Sequence, residues 1–275
     1  MPRFDVHQHL WPEQLIRALQ ARRDLPRLRG DLLETVEGAF ETDLGEHELD
    51  RRLALLDRHE LDVAVVCLQP TVACDFQPDL ADAYHEGILE LVEAAGGRLA
   101  AFACAERREG FAGACISARR LVGGVDELAT ALVDAGQVLF VHPGYAAAPP
   151  PGVPAWWAGV VDYTAQMQAA YAAWLARGTQ ELRVVFAILA GGGPFQLERL
   201  RGRGGDVADS YPNIYLDTSS YGVRALMLAA DASGIAQLVH GSDVPVMDPG
   251  PTLRALAELD LLGAAATDNP ARLFA

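Results

Sequence analysis

Eight short apolar runs, at positions 4–7, 63–68, 99–104, 113–117, 138–142, 183–188, 213–217 and 237–241, alternate along the chain with stretches of helical periodicity. Each run is almost continuously apolar, the pattern of a parallel strand covered on both faces. Between the runs, Leu49, Leu53 and Leu56 recur at i, i+4, i+7 within positions 46–59. Tyr84, Ile88 and Leu91 repeat that spacing after Pro78, a residue suited to a first helical turn because its missing N–H would find no partner there. Leu128 and Leu132 mark a third helix, and Gly96-Gly97 and Gly136 supply stops. Eight strands interleaved with helices over 275 residues predict an α/β fold: one domain, 1–275, built as a (β/α)8 TIM barrel of parallel strands.

Two connections are longer than a barrel requires. One spans positions 10–45 after the first strand; the other spans 143–163 after the fifth and carries Pro149-Pro150-Pro151 and Trp156-Trp157. Both leave the end of the barrel where active sites form, so they are expected to wall a pocket.

Composition narrows the function. Apolar residues make up 51% of the chain, which excludes general disorder. No uncharged apolar stretch of about 20 residues is present to span a membrane. The first residues run straight into a strand, so no signal peptide and a cytoplasmic location are expected. A net charge of -15 argues against nucleic acid or anionic lipid as a partner. All 22 cationic residues are Arg. A chain without lysine forms neither a Schiff base nor a carboxylated lysine. Cys67, Cys74, Cys104 and Cys115 include no Cys-x-x-Cys pair, which excludes a zinc ribbon or a thioredoxin-type site.

The chemistry concentrates at strand ends. His7 and His9 follow the first apolar run two residues apart, which places both imidazoles on one face of a strand. His142 closes the fifth run, and Asp243 follows the eighth. Together they make an N3O ligand set for one divalent ion. Zinc favours such donors, although iron, manganese, cobalt and nickel accept them too. Such an ion acidifies a bound water and polarises a carbonyl, and Asp243 is the candidate catalytic base.

Asp5-Val6-His7-Gln8-His9, Val141-His142-Pro143-Gly144, Gly241-Ser242-Asp243-Val244-Pro245 and Asp268-Asn269-Pro270-Ala271-Arg272-Leu273-Phe274 resemble the amidohydrolase superfamily. The nearest branch is the metal-dependent one related to aminocarboxymuconate-semialdehyde decarboxylase. The resemblance runs from residue 4 to 274. It implies a mononuclear metal, usually zinc, held by His7, His9, His142 and Asp243. It also exposes a departure. That family carries a histidine after strand six in a His-x-Gly-Gly pattern, where this chain reads Ile188-Leu189-Ala190-Gly191-Gly192. Leu189, or with a one-residue shift Ile188, stands at that position, and neither takes a proton.

Further candidates are weaker. Arg107, Arg119 and Arg224 fall just past strands and, with Trp156, are the expected contacts of a substrate carboxylate. Gly191-Gly192-Gly193-Pro194 could cradle an anion. His47, His59 and His85 fall in helical stretches and are expected at the surface, and His240 is not a ligand. The leading expectation is a hydrolase of a small carboxylate-bearing ester, lactone or amide-like substrate. One alternative is a non-oxidative decarboxylase of a small unsaturated or aromatic acid. The other is a metal-retaining barrel that binds without catalysis. The partner expected is a small molecule, with possible homo-oligomer formation.

Overall fold

The computed structural model describes the chain apart from residues 73, 74, 76, 148, 149, 155, 179, 180 and 207–210; Cys74 and the side chain of Trp156 lie outside the described residues. In chain order the strands are β1 (Phe4–His9), β2 (Arg27–Arg29), β3 (Leu32–Thr35), β4 (Gly38–Glu41), β5 (Val63–Cys67), β6 (Leu99–Cys104), β7 (Gly113–Ser117), β8 (Val138–His142), β9 (Val184–Phe186), β10 (Ile214–Asp217) and β11 (Leu238–Val239). Eight of them pair in the order β1-β5-β6-β7-β8-β9-β10-β11, and the pairings are parallel. The N–H of Val6 reaches the carbonyl of His240 at 2.8 Å, which brings the last strand back to the first. The barrel forms as the apolar periodicity predicts. No helix among the described residues is long and apolar enough to cross a membrane.

The core divides in two. Phe102, Phe140 and Phe186, all fully buried, sit with the strands of the central and closing parts of the barrel. A second cluster packs Leu15, Leu19, Leu56 and Tyr84 against β5 and β6. That cluster includes Leu28 and Leu33, because the long first connection is not a plain loop. It holds a helix, Glu13–Ala21, and an antiparallel three-stranded sheet, β2-β3-β4. Leu28 and Leu33 face each other across β2 and β3 and anchor the sheet to the helix. These strands of three or four residues are too short for alternation to reveal them. The second connection runs into a long helix, Trp156–Arg177.

The glycine run after β9 forms a tightly packed turn. Residues 189–194 are buried, and a side chain on Gly191 would lie 2.3 Å from the carbonyl oxygen of Thr164. The glycines let the turn press against the helix Trp156–Arg177, so the turn is close packing and not an open anion cradle.

Candidate metal centre

β1 delivers the first two ligands because Asp5 and Arg52 pin its end. Asp5 Oδ1 accepts the N–H of His7 at 3.2 Å and that of Ser242 at 3.0 Å, and Oδ2 accepts Gln8 Nε2 at 2.7 Å. Arg52 is 1% exposed and donates to Gln8 Oε1 (2.9 Å), the His9 carbonyl (2.9 Å) and the Glu46 carbonyl (3.1 Å). Burial lowers its pKa to about 10, against the pull of Asp5 and Glu46, so it stays cationic at neutral pH. The carbonyl of His7 accepts the N–H of Asp243 at 2.8 Å, which swings that carboxylate over β1 in a left-handed conformation (φ +70°).

His7, His9, His142 and Asp243 then converge, with one donor atom from each inside a cluster no wider than 4.8 Å. His7 Nε2 lies 3.2 Å from His9 Nε2, and His9 Nε2 lies 2.9 Å from Asp243 Oδ1. Each ring is held from behind. His7 Nδ1 meets Asp217 Oδ2 at 2.7 Å, His9 Nδ1 meets the Cys67 carbonyl at 3.1 Å, and His142 Nδ1 meets the Pro143 carbonyl at 2.8 Å. An acceptor at Nδ1 keeps the proton there and leaves the lone pair on Nε2. The lone pairs of His7 and His9 therefore face each other at a distance where they repel unless a cation separates them. Nitrogens bound tetrahedrally at about 2.0–2.1 Å stand roughly 3.3 Å apart, so a divalent ion fits the spacing found.

Charge agrees with the geometry. Burial disfavours a charged His7, yet Asp217 and Asp243 outweigh it and raise the pKa. Burial acts likewise on His9, where Cys67 and Asp243 prevail and the pKa rises to about 10. His142, buried beside His7 and His9, is held well below the usual value. For Asp243 burial works against ionisation, but His7 and His9 overcome it and keep the carboxylate anionic. The cluster favours positive charge at its centre.

Above it opens a cavity of about 480 Å³. His9, His142 and Asp243 form its floor; Leu33, Glu37 and Phe40 of the first connection and Tyr163 of the second form its walls. The first connection thus walls the pocket, as expected, and among the described residues the second contributes Tyr163. The arginines do not. Arg107, Arg119 and Arg224 are exposed, none lines the cavity, and Arg119 instead stacks over the Tyr145 ring at 5.0 Å. Two histidines expected at the surface are interior: His47 lines the cavity at 5% exposure, and His85, 2% exposed, accepts the Cys104 N–H at 2.7 Å. His240 stays out of the cluster, as expected, with Nε2 3.8 Å from Asp5 Oδ2.

At the position after strand six, Ile188 is the residue beside the centre. Its N–H points to Asp217 Oδ2 at 3.4 Å and its side chain is half-buried, whereas Leu189 is packed in the core. Sequence reasoning missed Asp217, Arg52 and His47. The one signal for Asp217 was its place at the end of an apolar run, the same place that marks His142.

No protein-family model and no curated protein matches the sequence. Solved structures do resemble it. The IDCase of Metarhizium anisopliae in apo form superposes with a TM-score of 0.77 at 21% identity, covering 99% of this chain and 97% of that one. An amidohydrolase II gives 0.78 at 15% identity, covering 99% of each chain. The 5-carboxyvanillate decarboxylase of Novosphingobium aromaticivorans, complexed with manganese and 4-hydroxy-3-methoxy-5-nitrobenzoic acid, gives 0.71 at 17% identity, covering 99% of this chain and 96% of that one. Over 99% of its length the chain shares the barrel fold of these structures.

Proposed function

We propose that the chain is a metal-dependent enzyme that removes the carboxylate of a small aromatic or unsaturated acid without oxidation. The observation that carries this reading is the convergence of His7, His9, His142 and Asp243 at the floor of a cavity of about 480 Å³, a size suited to one small ligand. A similar fold serves a manganese-containing decarboxylase of an aromatic acid. The four residues would hold one divalent ion. Zinc suits the donors and manganese is the ion in that related structure, so loading experiments decide between them. A bound ion supplies a Lewis acid that grips and polarises substrate oxygens.

The chain's own residues do the rest. Asp217 and the carbonyls of Cys67 and Pro143 hold the three rings in place. Trp11, Leu33, Phe40, Val72, Pro245 and Val246 make up the apolar part of the cavity lining. Loss of carbon dioxide leaves an electron pair on carbon, and that carbon takes up a proton that comes from water. Asp243, at the cavity floor, is the candidate carrier of that proton from water to carbon.

The second reading is hydrolysis of an ester, lactone or amide-like bond. It draws on the anionic state of Asp243, which suits a base that takes a proton from water. One panel separates the two. Protein loaded with zinc, manganese or cobalt is given carboxyl-labelled hydroxybenzoates and unsaturated acids, and separately lactones and esters. Labelled carbon dioxide supports the decarboxylase, and acid release from a lactone or ester supports the hydrolase. Full metal content with neither activity would leave a binding protein.

A further inference from the structure

The lining of the cavity presents a hydrogen-bond donor, on His47, for which the described residues supply no acceptor. His47 ends the turn Leu44–His47 and is 5% exposed. Its ring lies flat on Trp11, with centroids 4.5 Å apart and planes 5° from parallel. Its Nδ1 accepts the backbone N–H of Trp11 at 3.1 Å. Trp11 is itself held by its Nε1–H on Gln69 Oε1 at 3.0 Å. A ring nitrogen that accepts an N–H carries the lone pair, so the proton of the neutral ring sits on Nε2. Burial, helped by Arg52 and His9, lowers the pKa of His47 to about 3, so the ring is neutral at ordinary pH. Among the described residues no acceptor meets Nε2, and the residue faces the cavity beside His9 and Asp243.

The rest of the lining has a distinct charge. Glu37, Glu41, Asp43 and Glu46 border the cavity, and among the described residues no arginine does. Arg51 pairs with Asp43 and Glu46 from outside the lining. Glu37 accepts from Ala146 N and Tyr163 Oη, each at 2.5 Å, rather than from a cation. Glu41 has no ion-pair partner among the described residues. A carboxylate placed toward Glu37 and Glu41 would meet like charge with no cation among the described lining residues.

We infer that His47 donates its Nε2 hydrogen to an oxygen of the substrate held at the metal centre. We infer also that the cavity takes small monoacids whose other substituents are neutral or donate hydrogen bonds, and rejects a second carboxylate. The choice of an acid as ligand rests on the decarboxylase reading; the donor does not.

The test uses the full chain loaded with manganese and benzohydroxamate, an aromatic probe that binds metals through two oxygens. Its binding is measured by calorimetry, and its loss in a His7→Ala, His9→Ala double variant locates it at the centre. His47→Asn keeps an oxygen near Nδ1 for Trp11 but removes the donor, and is expected to weaken binding about tenfold or more. His47→Gln places an amide nitrogen near Nε2 and is expected to stay within about threefold of wild type. The reverse order, with Asn like wild type and Gln weak, would make His47 a structural prop and overturn the inference. So would failure of the probe to bind the loaded wild type. A second carboxylate meta on the probe ring should cost at least about tenfold, and equal or tighter binding overturns the monoacid selection. Should either variant fail to fold, nitrogen NMR of wild-type histidines decides. An Nε2–H ring unchanged from about pH 5 to 8 is expected for His47, and an Nδ1–H ring overturns the donor. No step needs turnover, so a protein that binds the probe in this way but decarboxylates nothing loses the proposed function and keeps the donor.

Discussion

At His7, what separates a metal ligand from a free imidazole is Asp217, 210 positions away, with its oxygen 2.7 Å from Nδ1. Replacing it by Asn removes the charge and keeps the shape. Metal affinity, measured by chelator competition, should fall about 10- to 100-fold while the fold persists. Unchanged affinity would mean that β1 alone orients the ring. A second residue-scale test concerns Ile188, a β-branched residue held at φ +47° beside Asp217. Histidine tolerates the left-handed region better than isoleucine does. Ile188→His should therefore fold at least as well, and should raise turnover of any accepted substrate at least about tenfold by restoring an acid–base group. Leu189→His should instead lose about 1–3 kcal/mol in urea titration, because it buries a polar ring at a 1% exposed position. A gain in activity at 189 and not at 188 would reverse the assignment.

At the scale of elements, two contacts set the site. Arg52 ties the helix Leu49–Arg58 to the end of β1 through Gln8 and the His9 carbonyl, and to the preceding turn through the Glu46 carbonyl. Arg52→Met leaves those acceptors unpaired and should cost at least about 2 kcal/mol of unfolding free energy, with the metal site weakened alongside. Glu37 sits in the turn between β3 and β4 and joins the small sheet to Ala146 and Tyr163. Burial raises its pKa from 4.5, opposed by the hydrogen bonds from Tyr163 and Ala146. A raised carboxyl pKa means that the docked sheet binds the proton more tightly than the undocked one. Docking is then strongest below the ordinary glutamate value and weakens as pH rises through the raised one. Hydrogen-exchange protection of residues 32–41, corrected for intrinsic rates, should fall over that rise in wild type. It should stay level in Glu37→Gln; a slope in both would place the titrating group elsewhere.

Across the whole molecule, the ligands come from β1, β8 and the segment after β11, so an ion bound there ties distant parts of the barrel together. Manganese or zinc at about 1,000 times its Kd should add about 4 kcal/mol to stability. The gain is read as a shift in urea midpoint and should vanish in the His7→Ala, His9→Ala variant. An equal shift in that variant would put the stabilising ion somewhere else.

Sequence alone determined the barrel and marked the four candidate ligands that the fold brings together, because the signals for both are local. Runs such as Val138–His142 carry their burial in consecutive apolar residues, and the spacing of His7 and His9 fixes their common face. Asp243 was legible as the polar residue that follows the last run. Nothing local marks Asp217 as the partner of His7, since their contact exists only after β10 closes toward β1. The helical spacing around His47 suggested a surface residue, and its burial comes from Trp11, brought there by the fold of the first connection. Arg107, Arg119 and Arg224 lie near strand ends in sequence but point to solvent, because being next to a strand end does not set the direction of a side chain. Periodicity reports which residues face a core. Which polar groups meet inside the cavity is decided by packing between segments far apart in the chain.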